Sequence, residues 1–298
     1  MQTHAKGPGA GWWWLIRGFT VLGRKPGTIL GAAALLGVCM LVLSSAQMLV
    51  PLHGNAKLAV VGVSMLIGAM LYPVLYGGFM RVIDAIRHDR PANAFMLFEP
   101  FKPGQGGARL ALFGFGMWVI YAAFIALLAS TVGRAMWTWY LDFLAHQPPL
   151  GTPVTSLPPL PSGFAVTLAL VTVFFLFYSG AMAVGIGQAS LRSASPVAAI
   201  KDGVAGAFKN VLPLVVLAIC AILAILVVAV VIGIVGAILL GILAFLSKSL
   251  AVVVFVIVYV VMIVFMFAII MGINYAMWHD VADGGNRTLE PPMADTAA

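Results

Sequence analysis

Charge is what this sequence has least of. Asp, Glu, Lys and Arg make up 8% of its 298 residues and 62% are hydrophobic, where a soluble globular domain carries about 25% charge. With a mean hydropathy of +1.09, a water-soluble globule is excluded and lipid must solvate most of the chain. Cysteine is nearly as scarce. Cys39 and Cys220 both lie inside apolar runs, so the sequence holds neither a disulfide framework nor a metal-ligand spacing. Ionisable residues are missing from the middle of those runs, which argues against ion-coupled transport through a buried carboxylate and against an intramembrane aspartyl protease. No His-Glu-x-x-His, Gly-x-Ser-x-Gly or Gly-x-x-x-x-Gly-Lys-Ser/Thr sequence occurs, so metal hydrolysis, nucleophile-elbow acyl transfer and nucleotide-driven work are not encoded. No cofactor is expected, and the chain reads as a non-enzyme.

What is present is a series of uncharged runs long enough to cross a bilayer, which takes about 20 apolar residues at about 1.5 Å of rise each. Residues 28–50, 58–80, 110–133 and 164–191 are clear spans. Val211 to Ser247 is uncharged for 37 residues, and only Lys248 separates it from another uncharged run ending at Trp278. One helix of that length would reach about 55 Å, well beyond a hydrocarbon core of about 30 Å. A fifth span is therefore placed at 211–231 and a sixth at 250–274, with Gly233, Gly236 and Gly241 bending the segment between them. A seventh crossing at 234–247 is the rival. The predicted fold class is an all-α polytopic membrane protein of six transmembrane helices, one integral domain over 1–283 with a disordered cytoplasmic tail at 284–298.

A net charge of +7 and a pI near 9.7 would suggest nucleic acid in a soluble chain. In a membrane protein they report orientation instead, and no nucleic-acid partner is expected. With six spans, Lys6, Arg17, Arg24, Lys25, Arg81, Arg87, Arg90, Lys102, Arg109, Arg192, Lys201, Lys209 and Arg287 share one side, leaving Lys57, Arg134 and Lys248 on the other. Thirteen against three places both termini in the cytoplasm. The polar start, Met1 to Gly11, leads into aromatic residues without the apolar core and small-residue cleavage site of a signal peptide, so no cleavage is expected.

Three cytoplasmic approaches to the membrane look alike: Arg24-Lys25-Pro26-Gly27, Phe101-Lys102-Pro103-Gly104, and Phe208-Lys209-Asn210 with Pro213. Lys25 to Lys102 is 77 residues, Lys102 to Lys209 is 107, and the surplus of 30 equals the outer segment 134–163. The unit would be an interfacial helix plus two spans, present three times. The interfacial helices are expected at 12–25, with Trp12, Leu15, Ile16, Phe19 and Leu22 on one stripe; at 91–102, with Ala94, Phe95, Phe98 and Phe101 on one face; and at 195–209, capped by Ser193 or Ser195 and showing Val197, Ile200, Val204 and Phe208. The outer loop, 134–163, combines the interface-type aromatics Trp137, Trp139 and Tyr140 with six prolines from Pro148 to Pro161. It is expected to be an extended connector and a candidate contact for another membrane or periplasmic protein.

Two sets of residues stand out as candidate sites. Arg24, Lys25, Lys102 and Lys209 sit where anionic phospholipid headgroups would meet the helix ends, which makes phospholipid the expected partner. Tyr72, Tyr76, Gln188 and Asn274 are polar groups inside spans, either lining a polar solute route or bonding between helices beside the small-residue runs Gly77-Gly78 and Gly180 to Gly187. Arg81, Asp84, Arg87, His88 and Asp89, with His279, Asp280 and Asp283, come nearest to a chemical constellation. Two ligands one turn apart among cations make a poor metal site, and solvated helix ends with intrahelical ion pairs explain them as well.

The opening Gly11-Trp12-Trp13-Trp14, the Arg24-Lys25-Pro26-Gly27 approach, Leu97-Phe98 with Phe101, and the Pro196 to Asn210 helix with Leu212-Pro213 together resemble a family of uncharacterised proteobacterial six-helix inner-membrane proteins. That family is distantly similar to the membrane domain of some glycerophosphodiester phosphodiesterases. The likeness covers residues 11–283, and the proline-rich loop departs from it. It implies six helices in the bacterial inner membrane and carries over no catalytic or binding residue. The expected function is a structural, lipid-organising or accessory subunit with a basic cytoplasmic face; the alternative is a channel or permease for a small neutral or lipid-like solute.

Overall fold

The structure, a computed structural model, describes residues 3–48, 55–145 and 159–282. Among them the chain is helical without a strand, and six helices are long and apolar enough to cross a membrane. The protein is an all-α, multi-pass integral membrane protein. A short helix α1 (Ala10–Thr20) and a 3-10 turn (Val21–Gly23) precede α2 (Pro26–Met48) and α3 (Asn55–Arg87). A 3-10 helix (Ala94–Phe101) precedes α4 (Gly107–Ser130), α5 (Arg134–Ala145) and α6 (Phe164–Leu191), and α7 (Pro196–Lys209) precedes α8 (Val211–Leu246) and α9 (Lys248–Ala282). Residues 146–158 of the outer loop, Asp283 and the tail at 284–298 lie outside the described residues.

Spans five and six differ most from expectation. The break at Gly233, Gly236 and Gly241 does not exist: α8 runs unbroken for 36 residues, so 234–247 is neither a bend nor a seventh crossing. A glycine costs a helix about 1 kcal/mol relative to alanine, whereas each backbone group freed in hydrocarbon costs several kcal/mol. Continuity therefore wins over three glycines. The outer segment also corrects, since 134–145 is a helix, not part of an extended connector. It has no Pro or Gly and includes the good helix formers Arg134, Ala135, Met136, Leu141, Leu144 and Ala145, with the prolines confined to its far side.

The short helices present other faces than their large apolar residues suggest. In α1 the buried residues are Gly11, Trp14, Leu15 and Gly18, while Trp12 and Phe19 are exposed. A methyl group on Gly11 would strike the Pro213 carbonyl, and one on Gly18 would strike Ile273. In α7, Ala199, Gly203, Gly206 and Ala207 are buried while Val197 and Phe208 point away. Ser195 is its cap, accepting from Ala198 N at 3.3 Å, with Pro196 at the first turn. The segment 91–102 becomes helical only from Ala94, and in the tighter 3-10 form. Positions three apart then align, so Leu97 and Pro100 are buried, Ala94 packs behind them, and Phe95 and Phe101 are left outside.

The core sits at the end of the bundle where α3, α6 and α9 finish and α4 begins. Trp14, Phe79, Met80, Leu97, Phe113 and Tyr275 are essentially inaccessible there. Glycines let the backbones approach: Gly78 lies under the Leu97 carbonyl, Gly114 under the Ala69 carbonyl and the Pro73 ring, and Gly203 under the Ala181 carbonyl. Helix α3 passes through Pro73 uninterrupted. The apolar windows of α2, α3, α4 and α6 are 22–33% buried, but that of α9 is 6% and that of α8 is 0%.

Candidate functional site

The polar chemistry collects at this same end, here called the charged end. Helix α3 stops with Asp89 in the left-handed conformation at φ 51, and Arg90 N donates back to Ala85 O at 2.8 Å. That turn folds the Arg90 side chain onto Asp84, while His88 Nδ1 lies 3.4 Å from Asp84 Oδ1. From α9, Tyr275 Oη donates to Asp84 Oδ1 at 2.8 Å, and the Arg87 guanidinium lies 5.4 Å from the centre of the Tyr275 ring. One helical turn on, His279 stacks on Tyr275 with centroids 6.1 Å apart. Asp280 then takes Trp14 Nε1 at 2.9 Å and Arg17 Nη1 at 3.1 Å, which clamps α1 to α9.

These bonds differ in weight. The Arg90–Asp84 pair has Arg90 57% exposed, and such pairs are worth less than about 1 kcal/mol. The Asp280 pairings hold a tryptophan at 0% exposure, whose indole N–H needs a partner once buried, and charge-assisted bonds of this kind contribute about 2 kcal/mol.

A second cluster caps α6. Arg81 of α3 donates through Nε to Ser190 Oγ at 3.2 Å and through Nη2 to Gln105 O at 2.6 Å. Arg109 of α4 donates to Ala189 O at 2.8 Å and Ser193 Oγ at 3.3 Å, and Ser190 Oγ donates to Gly77 O at 2.8 Å. Two cations thus sit on the last carbonyls of α6, the end where the helix dipole favours positive charge. A third cluster binds the N-terminal residues. Lys209 Nζ donates to Thr3 O at 2.8 Å, Asn210 Nδ2 to His4 O at 3.0 Å and Lys6 N to Asn210 Oδ1 at 2.8 Å. His4 N donates to Val281 O at 2.9 Å.

The headgroup candidates do not converge. Arg24 is exposed and reaches the Arg87 carbonyl at 3.4 Å, with exposed Lys25 beside it. Lys102 is exposed after the 3-10 helix. Lys209 is spent on Thr3, so its ammonium holds the chain's own backbone instead of projecting freely. The route candidates do not converge either. Tyr72 and Tyr76 lie one turn apart on α3, Asn274 is half-buried on α9, and Gln188 is fully buried, its Nε2 donating to Asp202 of α7 at 3.3 Å. Gln188 Oε1 and the nearby helix's Trp278 Nε1 make no hydrogen bond. Three cavities, of about 230, 260 and 570 Å³, open between α4, α5, α6 and α7, and none of the four residues lines them.

The two charged groups noted in the sequence do meet, through Tyr275 and Asp84, but as ion pairs and aromatic contacts. Among the described residues no three His, Cys, Asp or Glu side chains gather as metal ligands would. Sequence reasoning missed the Trp14–Asp280 clamp and the Asn210 cluster. The signal available for the first was an indole at the fifth position of a helix, between Gly11 and Gly18; nothing in the sequence pointed to the second. Comparison of the chain with protein-family models, with curated proteins and with solved structures finds no match.

Proposed function

We propose that the protein is a non-catalytic scaffold or accessory subunit of the bacterial inner membrane, both termini cytoplasmic, that organises phospholipid around a packed, basic end. The observation that carries this reading is how the polar groups are used. Asp84, Asp280, Arg81, Arg109 and Asn210 are engaged in holding helices and the N-terminal residues together, while α8 and the outer part of α9 offer apolar surface to lipid. The cavities of about 230 and 260 Å³ are lined mainly by apolar side chains, as suits lipid chains more than a polar solute, while the one of about 570 Å³ also has Thr131, Arg134, Thr138 and Ser162 on its wall. The thirteen cations assigned to one side support the orientation. Kinship with the proteobacterial six-helix proteins belongs to the same proposal and rests on the residues quoted above.

The test is reconstitution of the purified chain into liposomes loaded with small neutral solutes. Release at the rate of protein-free liposomes is expected, with anionic phospholipid enriched in what co-purifies. Protein-dependent release of a solute would replace this reading with a permease.

A further inference from the structure

At the corner where α1, the 3-10 turn, α3 and α9 meet, four guanidinium groups face two carboxylates. Both carboxylates are already committed. Asp280 holds Trp14 and Arg17, and Asp84 holds Tyr275, Arg90 and His88. Arg87, only half-exposed over the Tyr275 ring, has Arg17 and Arg24 as like-charged neighbours. Among the described residues, no carboxylate forms an ion pair with Arg24, Lys25 or Arg87. Yet Arg24 Nη1 reaches the Arg87 carbonyl at 3.4 Å, which keeps two guanidinium-bearing side chains at one corner against their mutual repulsion. Of these cations Arg87 is the partly desolvated one, and a cation withdrawn from water gains from an anion that shares its charge.

Guanidinium groups suit one anion above others, because their planar forks bind phosphate through paired N–H bonds where an ammonium acts as a point charge. The surroundings indicate where that phosphate belongs. Trp12, Trp13 and Phe19 are exposed on α1, the helix leading into the corner, and such aromatics settle at the boundary between headgroups and acyl chains. Near Lys102 the arginines Arg81 and Arg109 are spent on Gln105, Ser190, Ala189 and Ser193, and Lys209 is tied to Thr3.

Building on the lipid-organising function above, we propose that Arg24, Lys25 and Arg87 form a phosphate site that takes the headgroup of an anionic phospholipid. Free phosphate shares the chemistry but brings no chains for the aromatic surface.

Native mass spectrometry of the full chain in mild detergent, titrated with phosphatidylglycerol and with phosphatidylcholine, tests the site. The wild type should retain phosphatidylglycerol preferentially. Arg24→Gln with Arg87→Gln should weaken it about tenfold or more, a tenfold loss being about 1.4 kcal/mol. Arg87→Lys keeps the charge, removes the fork and should fall between; it also serves if the double variant does not fold. Lys102→Gln with Lys209→Gln should change retention less than about twofold. Equal loss in that control pair overturns the site but leaves a diffusely basic, lipid-binding face. No preference in the wild type overturns both. Inorganic phosphate bound by the delipidated protein with the same arginine dependence, but without a lipid preference, would keep the anion chemistry and overturn the headgroup as its source.

Discussion

The charged end of the bundle and the α8–α9 hairpin are made of much the same apolar residues, and glycine shows how differently they use them. At Gly78, Gly114 and Gly203 a neighbouring carbonyl occupies the space a side chain would need; at Gly233, Gly236 and Gly241 nothing lies within 4 Å. Lipid tails are as apolar as leucine, so apolar surface alone gives membrane helices no reason to associate. What joins them here is close backbone approach plus polar bonds, and both are concentrated at one end. Among the described residues the part of the hairpin around Gly233, Gly236 and Gly241 shows neither, and α8 has none of its apolar window buried.

The sharpest way to break that contrast is to make one substitution in both places. Gly78→Leu puts a side chain into the Leu97 carbonyl and should cost more than about 3 kcal/mol, seen as loss of the monodisperse peak and of a cooperative melt in detergent. Gly236→Leu should leave the melting temperature within about a degree. A disruptive Gly236→Leu would mean that protein, not lipid, covers α8.

Smaller effects sharpen the comparison. Asp280→Ala strands Trp14 Nε1 and Arg17 and should lower stability by about 2 kcal/mol, with the Trp14 fluorescence shifting as α1 loosens. Arg109→Leu uncaps Ala189 and Ser193 at a cost of about 1 to 2 kcal/mol; hydrogen exchange should quicken at the end of α6 and not in α8. Ser195→Ala removes the cap of α7 and should cost about 1 kcal/mol, the smallest of the changes at the charged end.

The long helices were legible because a charged residue bounds most apolar runs, and Phe164–Leu191 matches its helix at both ends. Where charge is missing the boundary fails: nothing polar halts α8, so a limit drawn from bilayer thickness alone ended it 15 residues early, at 231 instead of 246. Helix α3 also overran its expected end, carrying Arg81, Asp84 and Arg87 on a helix expected to finish at 80. The short helices failed for a different reason. Their contact faces are Gly11 with Gly18 and Gly203 with Gly206, and periodicity weighed by side-chain size cannot see a surface defined by having none. The candidate site suffered most, because Asp84 with Tyr275 and Trp14 with Asp280 are 191 and 266 residues apart.

The bond from His4 N to Val281 O ties the opening of the chain to the close of its last helix. A path that starts and finishes on the same face of a sheet has pierced it an even number of times, however the long helices tilt. The six helices long and apolar enough to cross fit that parity, and reporters fused at either end are expected to report one compartment.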